Sequence, residues 1–299
     1  MAELAGFFLS LAEKGGPEPG EYDSLNSCFH DLAPKVRSGT IPAGALLQLW
    51  RDLGEAFSST RTLQGHVVAR PYGYCGDFEL MDKIYTRWIS CDPKFANWDR
   101  FFHSQEATQA VRRRERYCVS LVQRLLAAGP DPTTFRVLNV GCGPAREVHD
   151  LCGTPNADRI YFDCVDLDPR AIVYAQRLNH SHSRQARFIC GNVLRFRTNE
   201  RYDLIWGSGI FDYFDDRIFS SVLRRLLPLV RPGGRLVVSN FSPNNPTRDY
   251  MECGQWLIWH RAVDQILRIA VNAGVSGDHV TMEEDPEGVI SYLQIRLPA

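Results

Sequence analysis

The chain has 299 residues, 44% of them hydrophobic, which permits a full core and excludes a chain that is disordered throughout. Its 34 basic and 35 acidic residues give a net charge of −1, so no overall field attracts nucleic acid or an anionic membrane. The nine cysteines include no Cys-x-x-Cys pair, and several lie inside apparent strands. This usage indicates reduced thiols, no metal site and a cytoplasmic location. No apolar run approaches transmembrane length, and the first residues lack the basic start of a secretion signal.

The first third of the chain predicts helices. Apolar residues recur at helical spacing over residues 22–32 and 42–57, and a longer helix is expected over 106–128. We expect residues 1–130 to form an N-terminal helical lid or cap region, and residues 131–299 to form the core domain. The dense basic cluster at 112–116 indicates either a solvated helix face or a group that lies near an anionic carboxylate.

A loop at residues 70–81 combines glycines with aromatic and acidic side chains. Asp77 stands just ahead of the apolar positions of a helix, so it is either a helix N-cap or part of a lid over a cofactor. Tyr74 lies between Gly73 and Gly76, and its ring could cover a charged or sulfonium edge. Tyr74 and Asp77 are therefore candidate cofactor-binding residues.

The next apolar run, residues 136–140, ends in Gly141-Cys142-Gly143 and is followed by a stretch that can start a helix. Because glycine has no Cβ, a ligand can lie directly on such a loop. Asp166 follows after one helix and one strand, where a carboxylate can accept both hydroxyls of a ribose. A dinucleotide site would have a third glycine at the position of Arg146, so this pattern argues against NAD.

These segments and three later ones resemble, in order, the motifs of class I S-adenosylmethionine-dependent methyltransferases. The matching segments are Val140-Gly141-Cys142-Gly143, Val165-Asp166-Leu167-Asp168-Pro169, Cys190-Gly191-Asn192-Val193, Tyr202-Asp203-Leu204-Ile205-Trp206 and residues 229–236. The resemblance implies an α/β fold with a Rossmann-like sheet of seven strands, the last one antiparallel, with helices on both faces and an N-terminal helical extension. It also implies S-adenosylmethionine as the cofactor, bound by Asn139, Gly141, Cys142, Gly143, Asp166, Leu167, Asn192, Val193 and Gly207.

Two polar loops follow the expected fourth and fifth strands, at 207–214 and 240–252, where open α/β sheets bind ligands. The candidate catalytic residues in these loops are Asp212, Tyr213, Tyr250, Arg248 and Glu252. A carboxylate acceptor would need orienting cations, for which Arg248 and Arg261 are candidates. A hydroxyl, amine or carbon acceptor would need a base, and His260 joins Asp212, Tyr213, Tyr250 and Glu252 as a candidate.

The chain then predicts a helix face that runs from Trp256 to Ala270 and ends near Gly274. Two strands at 279–283 and 289–296 flank Asp285-Pro286-Glu287-Gly288, which is typical of a hairpin turn. Such a terminal hairpin is expected for the methyltransferase sheet and not for a dinucleotide-binding domain.

Four segments are similar to the bacterial methyltransferase family of 3-hydroxypalmitic acid methyl ester biosynthesis. They are residues 73–79, 110–114 and 209–214, and residues 240–252 together with Trp256. The resemblance implies methyl transfer to a small molecule, chiefly to a carboxylate or hydroxyl oxygen, in a bacterial signal or natural-product pathway.

Several alternatives stay open on the sequence. One is N- or C-methylation of a secondary metabolite, and another is a cofactor-binding protein without turnover, favoured by amides at Asn139 and Asn192 where acids are common. Nucleic-acid methylation is disfavoured by the near-neutral charge and by the lack of an Asn-Pro-Pro-Tyr motif. We expect no nucleic-acid or membrane partner, and a homodimer is an open alternative to a monomer.

Overall fold

The structure, a computed structural model, describes residues 2–128, 134–154 and 157–298. Its helices are α1 Ala2–Glu13, α2 Tyr22–Arg37, α3 Ala43–Asp52, α4 Glu55–Ser58, α5 Leu63–Ala69, α6 Phe78–Tyr85, α7 Pro93–Ser104, α8 Glu106–Ala128, α9 Arg146–Cys152, α10 Pro169–Leu178, α11 Asp216–Leu226, α12 Arg248–Cys253 and α13 Val263–Asn272. Its strands are β1 Phe135–Val140, β2 Ile160–Asp166, β3 Ala186–Cys190, β4 Tyr202–Gly207, β5 Val230–Phe241, β6 Val280–Glu284 and β7 Ile290–Arg296. Among these helices, none combines the length and the apolar character needed to cross a membrane.

The chain divides into two compact units. The first comprises Met1–Val111 and Pro246–Leu257, and the second comprises Arg112–Asn245 and Ile258–Ala299. The units therefore divide inside α8, whereas the expected boundary at residues 130 and 131 lies outside the described residues. The first unit also includes α12, which sequence reasoning had assigned to a loop of the core.

The second unit is built on a seven-stranded sheet with the order β3-β2-β1-β4-β5-β7-β6. Strands β1 to β5 pair in parallel, and β7 pairs antiparallel with both β5 and β6. This topology confirms the expected sheet, including its antiparallel last strand. The strand order changes direction between β1 and β4, because β2 and β3 lie on one side of this pair and β5 on the other. The loops after β1 and β4 therefore lie at the edge where open α/β sheets bind ligands.

Each unit has its own hydrophobic core. In the second unit, buried side chains of the central strands pack against α11 and α13, with Leu138, Ile205 and Phe219 fully buried. The core of the first unit is rich in aromatic rings. There, Trp50 and Phe57 stack with ring centroids 5.1 Å apart.

The predicted elements agree with the structure where the local pattern was unambiguous. The helix at 106–128 and the C-terminal hairpin are confirmed, and the helical run at 42–57 is divided into α3 and α4. The helix expected from Trp256 is wrong in its first half, because α13 begins only at Val263. Residues 259 and 261 instead donate their backbone N–H groups to the carbonyls of Asp212 and Phe241.

Candidate functional site

The loop between β1 and α9 leaves open space where a ligand can approach the backbone. Gly141 and Gly143 have positive φ angles of 66° and 51°. A Cβ at Gly141 would lie 2.8 Å from Cβ of Ile210, so only glycine fits there. A Cβ at Gly143 would meet no atom within 4 Å, so the space above this residue is open. The local sequence therefore builds a backbone surface that can accept a ligand.

Asp166, at the end of β2, anchors this loop. One carboxylate oxygen accepts from the N–H of Gly143 at 2.9 Å, and the other accepts from the N–H of Asp168 at 2.9 Å. Burial raises the pKa of Asp166 above its ordinary value, although both backbone hydrogen bonds oppose this shift. A carboxylate offers about four acceptor positions, so the backbone contacts leave acceptor capacity for the hydroxyls of a ribose.

The segment after β3 continues the same surface. The N–H of Gly191 donates to the carbonyl of Asp166 at 2.8 Å, which joins the two segments. The side-chain oxygen of Asn192 accepts from the N–H of Leu194 at 2.8 Å. Leu167, the residue after Asp166, is 68% exposed, so its side chain is available to contact a flat ligand ring.

The other cofactor-binding candidates in the second unit support this surface from inside the fold. Asn139 is buried and donates to the Glu147 carboxylate at 2.6 Å, and Val193 lies in the core. Cys142 is buried, and its hydrogen bond with the Cys164 thiol together with burial raises the pKa of Cys142 well above its ordinary range. A Cβ at Gly207 would lie 2.6 Å from the ring of Phe211, so this glycine permits close packing.

Asp212 lies inside the protein. Asp212 is 2% exposed, and one of its carboxylate oxygens accepts from the N–H of Phe241 at 2.8 Å. The other oxygen lies 3.7 Å from Nη1 of Arg114. Burial raises the pKa of Asp212 to about 6, although the Arg114 guanidinium opposes this shift. The following residue, Tyr213, is 42% exposed.

The basic cluster on α8 is divided, since Arg116 is exposed and Arg113 half-buried, whereas the interpretation as a solvated helix face is wrong for Arg112 and Arg114. Arg112 and Arg114 are 8% and 4% exposed. Arg113 donates through Nε and Nη2 to one carboxylate oxygen of Asp285, at 2.8 and 2.6 Å. The other interpretation, a cationic group near a carboxylate, describes Arg113 and Arg114.

Arg261 binds no external carboxylate, because its guanidinium is fully buried. It donates to the Asp216 carboxylate at 2.9 Å and to the side-chain oxygen of Asn240 at 2.7 Å. It also donates to the backbone carbonyls of Phe211 and Phe214. Such a saturated internal cation organises the fold, and the interpretation of Arg261 as an acceptor-binding residue is wrong.

Sequence reasoning missed Trp259, which it placed on a helix face. Its N–H donates to the Asp212 carbonyl at 2.7 Å, and its carbonyl accepts from the Asn240 side chain at 2.7 Å. Trp259 is nevertheless 52% exposed. Residues 256–259, Trp-Leu-Ile-Trp, are continuously apolar, and this departure from the helical period was the signal that could have indicated an irregular segment.

Three catalytic candidates belong to the first unit. Tyr250 packs among aromatic rings, 4.8 Å from Phe29 between ring centroids, and its hydroxyl donates to Oε1 of Gln64 at 3.2 Å. Arg248 donates to Glu252 at 2.6 Å, and Glu252 also accepts from Arg37 at 2.6 Å. Within this unit, each of the three candidates has a structural partner.

The lid candidates also belong to the first unit. Asp77 is 1% exposed and caps α6 by accepting from the N–H groups of Glu79 and Leu80, each at 3.0 Å. Its second oxygen lies 2.8 Å from Nε2 of the buried His66. This confirms the N-cap interpretation of Asp77. Tyr74 is 37% exposed, and its role at the cofactor stays a prediction.

Comparison with known proteins supports this description. Residues 138–236 match the family model of a methyltransferase domain. A "possible exported protein" from Bordetella parapertussis is similar in structure, with a TM-score of 0.63 and 20% identity over 88% of this chain and 99% of that chain. A magnesium protoporphyrin IX methyltransferase from Synechocystis PCC 6803, solved with bound SAH, has a TM-score of 0.50 and 17% identity over 64% of this chain and 87% of that chain.

At these identities the two structures show a shared fold. No curated protein matches the chain. The matched segment contains the glycine loop, Asp166 and Asn192, which are the residues that form the open surface at the strand ends. Residues 138–236 are therefore a methyltransferase domain, and the protein is an enzyme that uses S-adenosylmethionine.

Proposed function

We propose that this enzyme methylates an oxygen, in a carboxylate or a hydroxyl group, of a small-molecule acceptor. The observation that carries the cofactor part is the open space above Gly143, which lies next to the hydrogen-bonded carboxylate of Asp166. A side chain at Gly143 would fill this space, and the aspartate leaves acceptor positions for a ribose. The residues present therefore fit S-adenosylmethionine.

We assign the cofactor contacts as follows. The backbone at Gly141 and Gly143 would hold the amino-acid part, the Asp166 carboxylate would accept hydrogen bonds from the ribose hydroxyls, and Leu167 would contact the adenine. Asn192 lies at the adenine edge. Because its oxygen already accepts from Leu194, its amide nitrogen is the group left to donate. S-adenosylmethionine supplies a methyl group that is already activated on a sulfonium. The protein therefore has to align the acceptor with it and exclude water.

The acceptor side supports oxygen methylation. Of the two catalytic candidates in the second unit, Asp212 is buried and hydrogen-bonded inside the fold, whereas Tyr213 reaches the surface. A carboxylate acceptor is nucleophilic without a base and needs only orientation, which suits a site whose aspartate faces inward. Tyr213 would orient the acceptor oxygen or, with a hydroxyl acceptor, receive its hydrogen bond.

The biological setting is part of the same proposal. The segments that resemble the 3-hydroxypalmitic acid methyl ester family support an acceptor from a bacterial signal or natural-product pathway. The free thiols of all nine cysteines support a cytoplasmic location.

Calorimetry with S-adenosylmethionine tests the cofactor site. We expect Asp166→Ala to weaken binding by at least about 30-fold, because it removes two ribose hydrogen bonds worth on the order of 2 kcal/mol or more together. Asp158→Ala is the matched control, since Asp158 is an exposed aspartate before the same strand. Equal affinity of Asp166→Ala and wild type would contradict the assignment.

Methyl transfer is measured on a metabolite panel by release of S-adenosylhomocysteine, with mass spectrometry to locate the new methyl group. Methyl groups on oxygen support the proposal, and methyl groups on nitrogen or carbon contradict it. Cofactor binding without release on any acceptor would favour the non-catalytic alternative.

A further inference from the structure

Trp259 is an exposed aromatic residue whose backbone is held on both sides. The N–H of Trp259 donates to the carbonyl of Asp212, and its own carbonyl accepts from the Asn240 side chain, both at 2.7 Å. Two residues later, the N–H of Arg261 donates to the carbonyl of Phe241 at 2.9 Å. The segment is therefore fixed at the carboxyl ends of β4 and β5. The ring is left half in solvent, with the residue 52% exposed. The loop that holds Trp259 also carries Tyr213, which is 42% exposed, so two aromatic side chains reach the surface at the edge where open α/β sheets bind ligands.

The polar groups that hold Trp259 are buried and hydrogen-bonded. Asn240 is 2% exposed and both donates to Trp259 and accepts from Arg261. Asp212, also 2% exposed, connects the strand end at Phe241 with the loop that carries Tyr213. Buried polar groups are costly unless each is hydrogen-bonded, and here they are used to hold one exposed residue in place.

The charge beside the ring limits what it can bind. The Arg261 guanidinium lies 5.8 Å from the centroid of the Trp259 ring, on the buried side, and the carboxylate of Asp216 is paired with it. A cation bound to the free face would share the ring's negative quadrupole with this guanidinium. A neutral or anionic ligand meets no such competition, and a flat ring system can stack on the exposed indole.

We infer that Trp259 is the platform on which the acceptor stacks, and that the acceptor is a planar ring system that is neutral or anionic. This inference rests on the proposed function, since it takes the carboxyl ends of β4 and β5 as the acceptor side. It makes Trp259 a specificity-determining residue. It also gives Asp212 a positioning role, because the carbonyl of Asp212 fixes the platform.

Equilibrium dialysis of the full chain against four probes tests this inference. The probes are 2-naphthol, 1-naphthoate, 1-naphthylmethylammonium and dodecanoate. We expect the first two to bind, the ammonium probe to bind at least about 10-fold more weakly than 2-naphthol, and dodecanoate to bind more weakly than 1-naphthoate. Trp259→Ala should weaken the two favoured probes about 10-fold, and Trp259→Phe should retain most of the affinity.

Val271→Ala is the control, because Val271 is an exposed apolar residue of the same unit near the end of α13. The hydrogen bonds at Trp259 use backbone atoms, so they persist in either variant and the fold is kept. Equal binding by Trp259→Ala and wild type overturns the inference, and so does preferred binding of the ammonium probe or of dodecanoate. Failure of wild type to bind either favoured probe also overturns it.

The affinity for S-adenosylmethionine is measured in the same samples. Loss of probe binding with unchanged cofactor affinity supports the platform. Absence of cofactor binding in the wild type would instead count against the proposed function, so the two failures can be told apart.

Discussion

At the scale of single residues, three aspartates with similar sequence contexts have different roles because their surroundings differ. Asp77 is a buried helix cap, paired with His66. Asp166 is partly exposed, and its two oxygens accept from the backbone N–H groups of Gly143 and Asp168. Asp212 is buried beside Arg114 and the backbone of Phe241. Of the three, Asp166 alone is partly exposed, which is why we propose it for the ribose hydroxyls.

The raised pKa of Asp212 predicts a pH-dependent stability. Because the folded-state pKa of about 6 lies above the ordinary value of 3.8, the folded protein keeps a proton that the unfolded chain has released. The contribution of this group to the free energy of unfolding therefore falls as pH rises from about 4 to about 6. The fall amounts to on the order of 3 kcal/mol, at about 1.4 kcal/mol per pKa unit.

Asp212→Asn should remove this dependence, since an amide does not titrate and its oxygen can still accept from Phe241. Urea titrations at pH 4, 5, 6 and 7 should show the variant gaining stability relative to wild type as pH rises. Asp158→Asn, an exposed position, should leave the profile unchanged. A constant difference between Asp212→Asn and wild type across this range would refute the assignment.

At the scale of elements, the segment 70–80 joins a loop to a capped helix. The Asp77 carboxylate ends the loop by capping α6, and the Tyr72 hydroxyl donates to Glu79 of that helix at 2.7 Å. Tyr74 remains 37% exposed between these anchored positions. An exposed ring between fixed ends is what a cofactor cover requires, and we keep the lid role of this segment as a prediction.

We expect S-adenosylmethionine to slow amide hydrogen exchange over residues 70–80, because a cover that contacts the cofactor loses access to water. Exchange followed by mass spectrometry, with and without the cofactor, measures this directly. The turn at residues 38–41, in the same unit and largely exposed, should exchange equally in both states. If residues 70–80 also exchange equally, the segment is structural and Asp77 serves only as a helix cap.

At the scale of the whole molecule, the chain leaves the second unit after β5, adds α12 to the first unit and then returns. This excursion completes the aromatic core of the first unit, where Cys253 is fully buried and its carbonyl accepts from Nε1 of Trp50 at 2.9 Å. The first unit is thus built from two distant stretches of chain. The N-terminal helices therefore form one unit with a segment that follows β5 in the sequence.

Deletion of residues 1–90 should abolish methyl transfer. The deletion removes Phe8, Phe29, Trp50 and Phe57 from the aromatic core, and it removes the proposed cover at Tyr74. Release of S-adenosylhomocysteine on the acceptor panel measures turnover, and cofactor calorimetry reports on the second unit. Normal methyl transfer by the truncated chain would show that the N-terminal region is not a lid.

The sequence by itself determined the second unit's sheet, its glycine loop, the acidic residue Asp166 at the end of β2 and the C-terminal hairpin. These features depend on signals that are local in sequence: an apolar run that ends in Gly141, an acidic residue at the next strand end, and turn residues at 285–288. Residues that are neighbours in the sequence determine such elements, through their preferred backbone conformations and through the spacing of apolar side chains. The same signals therefore carry both the fold and the proposed cofactor site.

Only the tertiary structure decided the roles of the polar side chains and of the irregular segments. Residues 256–262 have a helix-like pattern, but Trp259 and Arg261 form backbone hydrogen bonds with Asp212 and Phe241, which lie 47 and 20 positions earlier in the sequence. Arg114 is a second example, because this charged residue of α8 is buried and lies beside the Asp212 carboxylate. The partner of a polar group is set by which distant elements pack against it. No periodicity within the chain encodes that partner, because the hydrogen bond exists only once both elements are in place.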